Sequence, residues 1–474
     1  MLGKSILAVY PHRGRSSEVR YAPPIGLEYV MAAVEDLVEK ITVVDMRFEE
    51  NDDLARFLHG VDTVCVSLNW PLGPTAANGV APEFNLINRI PPGIFTVVGG
   101  RWATVNTDVI FENCPGVDVV VRGDGEETIR ELARAKSLDG IEGIAYRVDG
   151  KVQRNAPRRF APLSEAVYPN RALRRYDYRV AARGIDFGFT LDMVLTSRGC
   201  PFRCKFCASH VDDFGRRRRW EPRSPESVLA ELRKVDAEAV LIADNDFCID
   251  MDRVGAICDL VLKEGIRKIF ALEARIDIAR RPDVLAKMDR AGFRLIMFGL
   301  ESACDASLEV LNKGFTVANV RQAFEVLRRY RFILGGFFIV GNIGEDAGDM
   351  LRMSRFAKEL GLDFIALSYL RVDFGSALEE VIARHPGYHI AADKQHRVWS
   401  DRYPLKTLRR IRHAVARDFY FSPHMLRSIG RALLSGDVRL RHVRRFLGSA
   451  LLLAAAGLLP RHLARRFRRL SGRR

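Results

Sequence analysis

The 474-residue sequence has few cysteines and little apolar sequence that could cross a membrane. Eight cysteines in a chain of this length do not suggest a secreted disulfide framework. The apolar run 447–459 has 13 residues, whereas a membrane-spanning helix needs roughly 20. The N-terminal run Met1–Tyr10 is too short for a signal peptide and predicts a first strand. These features lead us to expect a reducing, cytoplasmic setting.

Acidic residues are also scarce at the end of the chain. Arg427–Arg474 contains 13 arginines, no lysine and one acid, Asp437, which is a local charge of +12 within a formal total of +15. The rest of the chain is nearly balanced, so the sequence has a basic tail rather than a basic surface throughout. A hydrophobic content of 48% with 28% charged residues indicates a folded protein, and the length predicts two or three domains.

The most informative segment is 197–207, which reads Ser-Arg-Gly-Cys-Pro-Phe-Arg-Cys-Lys-Phe-Cys. Cys200, Cys204 and Cys207 form a C-x3-C-x2-C pattern, one thiolate short of a closed zinc site or a fully ligated cluster. Three thiolates on one loop, bent by Gly199 and Pro201, suit a [4Fe–4S] cluster whose fourth iron is open. The alternative is a zinc knuckle with a distant fourth ligand. The other five cysteines are expected to be buried thiols.

This spacing, directly after the strand-like run 193–196, resembles the radical S-adenosylmethionine superfamily. The resemblance implies that the open iron binds the amino and carboxylate groups of S-adenosylmethionine. One electron then cleaves the sulfonium and yields a 5′-deoxyadenosyl radical, which abstracts hydrogen from an unactivated carbon. A one-electron donor such as flavodoxin or ferredoxin is implied as a partner.

Residues 1–150 alternate short apolar runs with amphipathic segments, which predicts a parallel α/β sheet. Helices are predicted over 26–38 and 126–135. Loops rich in glycine, proline and asparagine follow the strands, where ligands of open α/β sheets bind. The strands are predicted at Ser5–Tyr10, Ile41–Asp45, Thr63–Leu68, Phe95–Val98 and Val117–Val121.

These loops resemble the cobalamin-binding domain that precedes many radical S-adenosylmethionine enzymes. Residues 21–29 match the family segment R-x-P-P-x-G-L-x-Y-L with tyrosine in place of arginine, and 97–100 and 122–126 match its later glycine signatures. The family's D-x-H-x-x-G string is absent, which implies no protein histidine on the lower face of cobalamin. The resemblance implies these cobalamin-binding residues: Pro24, Gly26, Asn69, Gly99, Gly100, Gly123 and Gly125.

Six strand-like runs that alternate with helical segments follow from residue 192, which fits the partial (β/α)6 barrel of the superfamily. Functional groups on barrels gather at the C-terminal ends of strands. There, carboxylates and amides suit the ammonium and ribose of S-adenosylmethionine, and an arginine suits its carboxylate. Ion pairs and helix caps are the alternative for each acid. The candidates for S-adenosylmethionine binding are Asp244, Asn245, Glu273, Arg275 and Glu301.

Three further segments are ambiguous in the sequence. The run Arg216–Arg219 fits either an anionic-ligand patch or a solvated group of charges. Residues 340–345 stand where relatives read G-L-P-G-E, but the proline is missing. The tail segment 447–459 with its arginine flanks predicts an interfacial helix on an anionic membrane surface. A buried core helix is the alternative, and the dense apolar run argues against nucleic acid.

The predicted organisation is therefore a Rossmann-like cobalamin-binding domain at 1–150, a linker at 151–190, a radical S-adenosylmethionine partial barrel at 191–375 and a helical region at 376–474. The resembling families include hopanoid methylases and the anaerobic magnesium-protoporphyrin monomethyl ester cyclase. They imply methyl transfer to an unactivated carbon of a small, hydrophobic or secondary-metabolite substrate. Oxidative ring closure with the same cofactors is the first alternative. A non-catalytic cobalamin and iron–sulfur regulator is the second.

Overall fold

The computed structural model describes residues 1–12, 22–49, 51–69, 72, 80–159, 163, 165, 167–182, 185–212, 214–392, 395–434, 441–442 and 444–445. The chain forms two compact units, Met1–Asp192 with Leu440–Arg474, and Met193–Arg439. The apolar tail segment 447–459 lies outside the described residues. In the part of the chain that is described, no helix combines the length and the apolar character needed to span a membrane.

The first unit is built on a seven-stranded sheet of order β2-β1-β3-β4-β5-β6-β7. Strands β1 to β5 are parallel, and β6 and β7 extend the sheet as antiparallel strands. Its strands are β1 (Ser5–Tyr10), β2 (Lys40–Asp45), β3 (Thr63–Ser67), β4 (Phe95–Gly99), β5 (Val119–Val121), β6 (Ile144–Val148) and β7 (Lys151–Arg154). Its helices are α1 (Ile25–Ala32), α2 (Pro82–Ile87), α3 (Arg101–Val105), α4 (Thr107–Asn113) and α5 (Glu126–Arg134), with short 3-10 turns at Glu35–Leu37, Asn51–Phe57 and Arg171–Leu173.

The strands of this sheet are apolar on both faces because a core packs against each face. In β1, Leu7 and Val9 belong to one buried cluster, whereas Ile6 and Ala8 belong to the other. Burial on both faces is the usual state of parallel strands in α/β proteins. The order 2-1-3-4-5 places a topological switch point between β1 and β3, where ligands of such sheets bind. This confirms the predicted Rossmann-like fold.

The 151–190 segment, predicted as a linker, contains regular structure. Besides β7 it carries β8 (Arg179–Ala182) and the start of β9 (Ile185–Val194), which pair antiparallel. Ion pairs also hold it to the first unit. Arg174 binds the buried carboxylate of Glu28 through two hydrogen bonds of 2.8 and 2.6 Å, and it approaches Asp192 to 2.8 Å. The domain boundaries themselves stay a prediction.

The second unit is a parallel half-barrel whose strands follow the order β16-β15-β14-β13-β12, with the end of β9 next to β12. Helices alternate with these strands, which confirms the predicted partial (β/α)6 architecture. Two short strands, β10 (Ser197–Arg198) and β11 (Glu221–Pro222), form a separate antiparallel pair. The other strands of the half-barrel are β12 (Ala239–Ile242), β13 (Ile269–Ala274), β14 (Phe293–Glu301), β15 (Ile333–Val340) and β16 (Phe364–Tyr369). The helices are α6 (Pro225–Leu232), α7 (Met251–Lys263), α8 (Pro282–Ala291), α9 (Asp305–Val310), α10 (Val317–Leu327) and α11 (Ala347–Leu360), with a 3-10 turn at Ile276–Arg280.

After the half-barrel, the described residues up to 434 are mainly helical and include a small antiparallel pair of strands. Helix α13 carries Leu408, Ile411, Val415 and Phe419 on its buried face, and these side chains join the core of the second unit. The elements are α12 (Leu378–Ala383), β17 (Tyr388–Ile390), β18 (Val398–Ser400), α13 (Leu405–Tyr420) and α14 (Pro423–Leu434).

Alternate residues of the half-barrel strands face opposite sides of the sheet. One set, which includes Phe270, Leu272, Ile296 and Phe298, packs in the main core against the helices. The other set faces the concave side of the sheet. The parallel register aligns Leu241 with Ala271, Ala271 with Leu295, Glu273 with Met297, and Phe337 with Ala366 on this side.

Candidate active site

The loop that carries Cys200, Cys204 and Cys207 follows β9 and β10 at the C-terminal end of the sheet. All three thiols are free, with Cys204 buried and the other two half-buried. Gly199 permits the entry bend, because its φ of +79° favours glycine and an added Cβ would lie 2.2 Å from the Arg219 carbonyl oxygen. The predicted role of Gly199 in bending the loop is therefore visible in the backbone.

The carboxylate of Asp244 fixes the start of this loop. It accepts hydrogen bonds from the Thr196 amide at 2.7 Å, the Thr196 hydroxyl at 2.6 Å and the Ser197 hydroxyl at 2.6 Å. Burial raises the pKa of Asp244, while these donors favour its charged form. Asp244 lies two residues after the end of β12, so the neighbouring strand holds the cysteine loop in place. Asp244, which was predicted to bind S-adenosylmethionine, therefore contacts the cysteine loop and positions it.

Two buried arginines support the same segment. Arg253 donates to the Thr196 carbonyl at 2.8 Å, and Arg223 donates to the Leu195 carbonyl at 3.0 Å. Arg223 also forms an ion pair with Glu231, and both side chains are fully buried. The backbone on the N-terminal side of the cysteines is therefore held by one carboxylate and two guanidinium groups.

Arg275 and Lys313 lie against the cysteine loop. The Arg275 guanidinium stands 3.9 Å from the ring centroid of Phe202, between the first two cysteines, and donates to the Lys313 carbonyl at 2.6 Å. Lys313 stands 5.6 Å from the ring centroid of Phe206. Burial raises the pKa of the Cys204 thiol, and these two cations act against the rise. They are placed to offset negative charge on the loop.

Glu301 ends β14 in an uncommon backbone conformation. Its φ is +63°, a region that non-glycine residues rarely adopt and that is often found at functional sites. The buried carboxylate lies 3.2 Å from the Lys313 ammonium, and its carbonyl accepts a hydrogen bond from Asn342 at 3.1 Å. Gly299 makes room for this arrangement, because an added Cβ would lie 2.6 Å from Glu301 Oε1.

Glu273 projects from β13 onto the concave side of the half-barrel. The side chain is accessible to solvent, but protein atoms crowd its surroundings. This desolvation, with Glu301 and Asp246 close by, raises the pKa of Glu273 to about 7. Its aligned neighbours on that face are apolar, so Glu273 is a carboxyl group that can exchange a proton near neutral pH within an apolar surface.

Asn245 is exposed and connects to the cysteine loop through one serine. The Ser209 hydroxyl donates to Asn245 Oδ1 at 2.9 Å, and the Ser209 amide donates to the Cys207 sulfur at 3.4 Å. Of the five residues predicted to bind S-adenosylmethionine, Asn245 and Glu273 are the most accessible. Asp244, Arg275 and Glu301 are engaged in contacts with the protein itself.

A second buried carboxylate follows β15. Glu345 accepts hydrogen bonds from the Ser302 hydroxyl and from Asn342 Nδ2, the latter at 3.1 Å. Burial raises the pKa of Glu345 to about 7. Its second oxygen and Asn342 Oδ1 have no hydrogen-bond partner among the described residues. This loop replaces the G-L-P-G-E element of relatives, and its glycines at 341 and 344 both have positive φ.

At the carboxyl edge of the first unit's sheet, the predicted cobalamin residues come from neighbouring loops. Gly100 has a φ of +104°, and an added Cβ would lie 2.6 Å from the Leu68 carbonyl oxygen and 2.7 Å from Asn69 Oδ1. The Asn69 amide nitrogen donates to the Ser67 hydroxyl at 2.8 Å. The loops after β3 and β4 are thus brought together at this edge by a residue that must be glycine. Gly99 is the last residue of β4.

The remaining predicted cobalamin residues frame the same edge. Gly123 has positive φ and donates its amide to the Thr104 hydroxyl at 2.9 Å. Pro24 precedes α1, and Gly26 in its first turn faces open space, with no atom within 4 Å of an added Cβ. Gly125 lies under Val30, 3.1 Å from an added Cβ. The loop segments 13–21 and 73–79 lie outside the described residues.

Sequence reasoning did not single out three residues near the cysteine loop. Lys313 lies in the segment Asn312-Lys313-Gly314, and its contact with Glu301 depends on the turn after α9. Ser209 gives no sequence signal, because its contact with Cys207 depends on the turn after the loop. Asp246 is buried, and desolvation raises its pKa to about 6. Its position after β12, beside Asp244, is the signal that could have found it.

The donor set fits the predicted cluster. Three free thiols stand within one loop, two cations lie against it, and burial raises the pKa of Cys200 to about 12, so metal binding has to displace its proton. Among the described residues, no group of three or more His, Cys, Asp or Glu side chains converges to hold a single metal ion. Thiolates of a [4Fe–4S] cluster bind separate irons and need not converge on one point.

Two family models match the chain. Residues 19–133 match the B12 binding domain, and residues 194–357 match the radical SAM superfamily. Together they cover the switch-point edge of the first unit, the cysteine loop and most of the half-barrel.

Curated relatives match both units. An uncharacterised methyltransferase of Pyrococcus horikoshii is 29% identical over 72% of this chain and 74% of its own length. An anaerobic magnesium-protoporphyrin IX monomethyl ester cyclase of Synechocystis is 26% identical over 68% of this chain, and a hopanoid C-3 methylase of Methylococcus capsulatus is 26% identical over 64%. The chain spans 66% of the cyclase and 58% of the hopanoid methylase.

Solved structures share the fold. The radical S-adenosylmethionine methyltransferase TsrM from Kitasatospora setae, with its tryptophan substrate and a SAM analogue (aza-SAM) bound, has a TM-score of 0.66 at 19% identity, over 89% of this chain and 84% of that one. The cobalamin-dependent enzyme OxsB has a TM-score of 0.67 at 16% identity, over 94% of this chain and 72% of that one. At these identities the likeness concerns the fold. The two family models show that the chain carries a B12 binding domain ahead of a radical SAM domain.

Proposed function

We propose that this protein is a cobalamin-dependent radical S-adenosylmethionine methyltransferase that acts on an unactivated carbon of a small hydrophobic substrate. The observation that carries the proposal is the cysteine loop, held at its root by Asp244 and flanked by Arg275 and Lys313, on a chain that also has a B12 binding domain. The names of the methyltransferase relatives support the reaction class.

Cys200, Cys204 and Cys207 would hold the [4Fe–4S] cluster, and the chain offers no fourth cysteine in the loop. When bound, the cluster supplies the electron for reductive cleavage of S-adenosylmethionine, and cobalamin carries the methyl group to be transferred. Asp244 acts as a positioning residue for the loop. Asn245 and Glu273 would contact S-adenosylmethionine directly, whereas Arg275 and Glu301 would shape its site through their contacts with Phe202 and Lys313.

Pro24, Gly26, Asn69, Gly99, Gly100, Gly123 and Gly125 would hold cobalamin at the carboxyl edge of the first sheet. Both Gly100 and Gly123 have positive φ, which strains other residues, and at Gly100 a side chain would also collide with the Leu68 carbonyl. The absence of a D-x-H-x-x-G string leaves cobalt without a histidine ligand from that motif.

The apolar character of the concave side of the half-barrel favours a hydrophobic substrate. Leu241, Ala271, Leu295 and Met297 lie on that side in register, and Phe337 and Ala366 continue it. Gly335 is required for this surface, since an added Cβ would lie 2.3 Å from the Met297 sulfur. Ligand sites of this kind are mostly apolar with a few polar groups, here represented by Glu273.

The mass of the product tests the reaction. Reduced, reconstituted enzyme with cobalamin and S-adenosylmethionine should add one methylene unit to its substrate and release 5′-deoxyadenosine. A substrate that loses hydrogens without gaining carbon would show oxidative ring closure, the reaction suggested by the cyclase relative. A protein that binds both cofactors but never forms 5′-deoxyadenosine would be a regulator instead.

The electron donor and the membrane surface are further parts of the proposal. A flavodoxin or ferredoxin would reduce the cluster. The 447–459 segment and its arginine flanks would bind anionic lipid, by about 1 kcal/mol for each arginine near the surface. Truncation after Arg445 retains α14 and should release the protein from anionic liposomes at low salt, while cluster assembly is unchanged. Equal sedimentation of full-length and truncated protein would contradict the lipid contact.

A further inference from the structure

Four cations border the exposed side of the cysteine loop. Arg203 and Lys205 lie between the cysteines, and Arg217 and Arg219 lie on the segment that folds back beside the loop. Among the residues that the structure describes, none of the four has an ion-pair partner. Arg203, Arg217 and Arg219 are exposed and Lys205 is half-buried. We call these four residues the basic rim.

Backbone pairing places the segment that carries Arg217 and Arg219 next to the end of the cysteine loop. Val211 forms an antiparallel bridge with Arg217, and the Arg218 amide donates to the His210 carbonyl at 2.9 Å, so residues 210–218 turn back on themselves. The Arg219 carbonyl packs against Gly199 at the entrance to the loop. Arg217 and Arg219 are therefore held beside the cysteine loop.

Three of the rim cations lie near the imidazole of His210. Burial lowers the pKa of its imidazole, and the positive charges of Arg203, Arg217 and Lys205 lower the pKa further. Its Nδ1 has no hydrogen-bond partner among the described residues. Three cations from two segments thus lie within electrostatic reach of one side chain.

The neighbouring arginines of the same run behave differently. Arg216 forms an ion pair with Asp212, with 2.7 Å between Nε and Oδ2. Arg218 forms one with Glu221, with 3.5 Å between Nη2 and Oε2. The run 216–219 is therefore not a uniform group of solvated charges, because alternate residues are paired and the others contribute to the rim. Within the described part of this run, Arg217 and Arg219 are thus the two arginines whose charge is not offset by an ion pair, although the Arg218 side chain also packs near Gly199.

We propose that the basic rim is the docking surface for an acidic one-electron carrier protein of the flavodoxin type, which reduces the cluster. This inference rests on the proposed function. Electron transfer requires close approach, and the rim residues lie on the loop that carries half-buried Cys207 and on the segment paired beside it. Contacts of redox partners are small and transient, so complementary charge is what orients them and speeds their encounter.

The electron transfer balances without bond changes in this chain. The hydroquinone anion of the carrier's flavin gives up one electron and becomes the neutral semiquinone. The cluster accepts that electron and gains one negative charge. The rim cations favour the approach of the acidic carrier, and release of the oxidised carrier is aided by salt, which screens exposed charges.

Binding of flavodoxin to the cluster-loaded enzyme tests the rim. The double variant Arg217→Glu with Arg219→Glu changes two exposed side chains outside the cysteine spacing. We expect its Kd for flavodoxin, measured by calorimetry at low ionic strength, to rise on the order of tenfold or more, with the difference disappearing at high salt. The matched control is Lys263→Glu with Arg267→Glu, which makes the same charge change at the amino end of β13 and should leave Kd unchanged.

Cross-linking of the unaltered enzyme provides a second measurement that does not depend on variant folding. A carbodiimide joins carboxylates to lysine amines in direct contact, so flavodoxin should become linked to Lys205. Cross-links that exclude Lys205 and map to another face, or a rim variant that binds flavodoxin as tightly as the control, would overturn the docking proposal.

Small reductants separate this proposal from the proposed function. Dithionite, an anion, and reduced methyl viologen, a cation, should both reduce the cluster of the rim variant and support release of 5′-deoxyadenosine, while reduced flavodoxin should act on it at least tenfold more slowly than on the control. Wild-type enzyme that forms no 5′-deoxyadenosine with either small reductant would contradict the proposed function. Normal turnover with small reductants and equal rates with flavodoxin would contradict the rim alone.

Discussion

Asp244 and Glu345 are both buried carboxylates at strand ends, but their contacts give them different behaviour. Asp244 accepts three hydrogen bonds of 2.6 to 2.7 Å from two residues of the cysteine loop. Glu345 accepts two hydrogen bonds, and its second oxygen has no partner among the described residues. Burial raises the pKa of both groups, but Asp244 positions the loop, whereas Glu345 keeps one buried oxygen without a partner among the described residues.

Glu345→Gln should change how stability depends on pH. The unfolded chain releases the Glu345 proton near its ordinary pKa of 4.5, but burial holds the proton in the folded chain to about pH 7. The folded state thus binds more protons in this window, so the free energy of unfolding falls as the pH rises through it. Denaturant titration should show Glu345→Gln gaining roughly 1 to 3 kcal/mol relative to wild type between pH 5 and pH 8. An exposed control, Glu380→Gln, should show no such gain, and a pH-independent difference for Glu345→Gln would contradict this assignment.

The sequence predicted which strand ends carry polar residues but not which side chains are available to a ligand. Asn245 and Glu273 are accessible, whereas Arg275 stacks on Phe202 and Glu301 pairs with Lys313. Periodicity places a residue at the end of a strand, but its partner comes from an element distant in the chain. Lys313 is 12 residues from Glu301 and reaches it only through the turn that follows α9.

Among the elements, the cysteine loop depends most on one glycine. Gly199 and Gly215 have nearly equal φ angles, +79° and +76°, so alanine carries a similar backbone strain of about 1 kcal/mol at each. They differ in surroundings. An added Cβ at Gly199 meets the Arg219 carbonyl at 2.2 Å, and at Gly215 it meets nothing within 4 Å.

Gly199→Ala should therefore disrupt cluster assembly, and Gly215→Ala should not. The clash at Gly199 with the Arg219 carbonyl displaces the backbone at the entrance of the loop, and the position of the cysteines depends on that backbone. We expect the iron content and visible absorbance of reconstituted Gly199→Ala to fall several-fold, with Gly215→Ala close to wild type. Equal cluster content in the two variants would show that the close packing at Gly199 is dispensable.

Strand prediction succeeded where both faces of a strand are buried, as in β1, whose observed bounds equal the predicted ones. Continuous apolar runs bounded by glycine or proline define such strands well. The hairpin of β6 and β7 was missed because β7, Lys-Val-Gln-Arg, is polar and lies at the sheet edge. Its pairing with β6 depends on the turn at Asp149 and Gly150, both with positive φ.

At the scale of the whole molecule, the first compact unit extends beyond the predicted boundary at residue 150. The segment 167–182 attaches to it through the Arg174–Glu28 pair, a 3.1 Å hydrogen bond from the Tyr178 hydroxyl to Asp45, and the stacking of Tyr176 on Phe48. Removal of one partner from a buried ion pair leaves an uncompensated charge, which is strongly destabilising. Without this segment buried Glu28 loses its ion pair with Arg174, whereas buried Asp45 loses the Tyr178 hydroxyl but keeps its ion pair with Arg47.

A fragment of residues 1–192 should therefore fold better than one of residues 1–150. The shorter fragment loses β7 and leaves Glu28 and Asp45 without Arg174 and Tyr178, so we expect a lower Tm and weaker binding of hydroxocobalamin. Calorimetry and absorbance titration measure both. Electron paramagnetic resonance of the cobalt(II) form should show no splitting from a coordinating protein nitrogen. Equal stability and binding of the two fragments would contradict the role of the 167–182 segment.

The formation of 5′-deoxyadenosine tests the central claim most directly. Reduced, cluster-loaded enzyme should release it from S-adenosylmethionine, because Cys200, Cys204 and Cys207 hold a cluster with one open iron. Cys200→Ala should release none, while Cys304→Ala, which removes a half-buried thiol outside the loop, should remain active. If Cys200→Ala forms 5′-deoxyadenosine at the rate of the Cys304→Ala control, the cysteine loop is not the catalytic centre and the account is wrong.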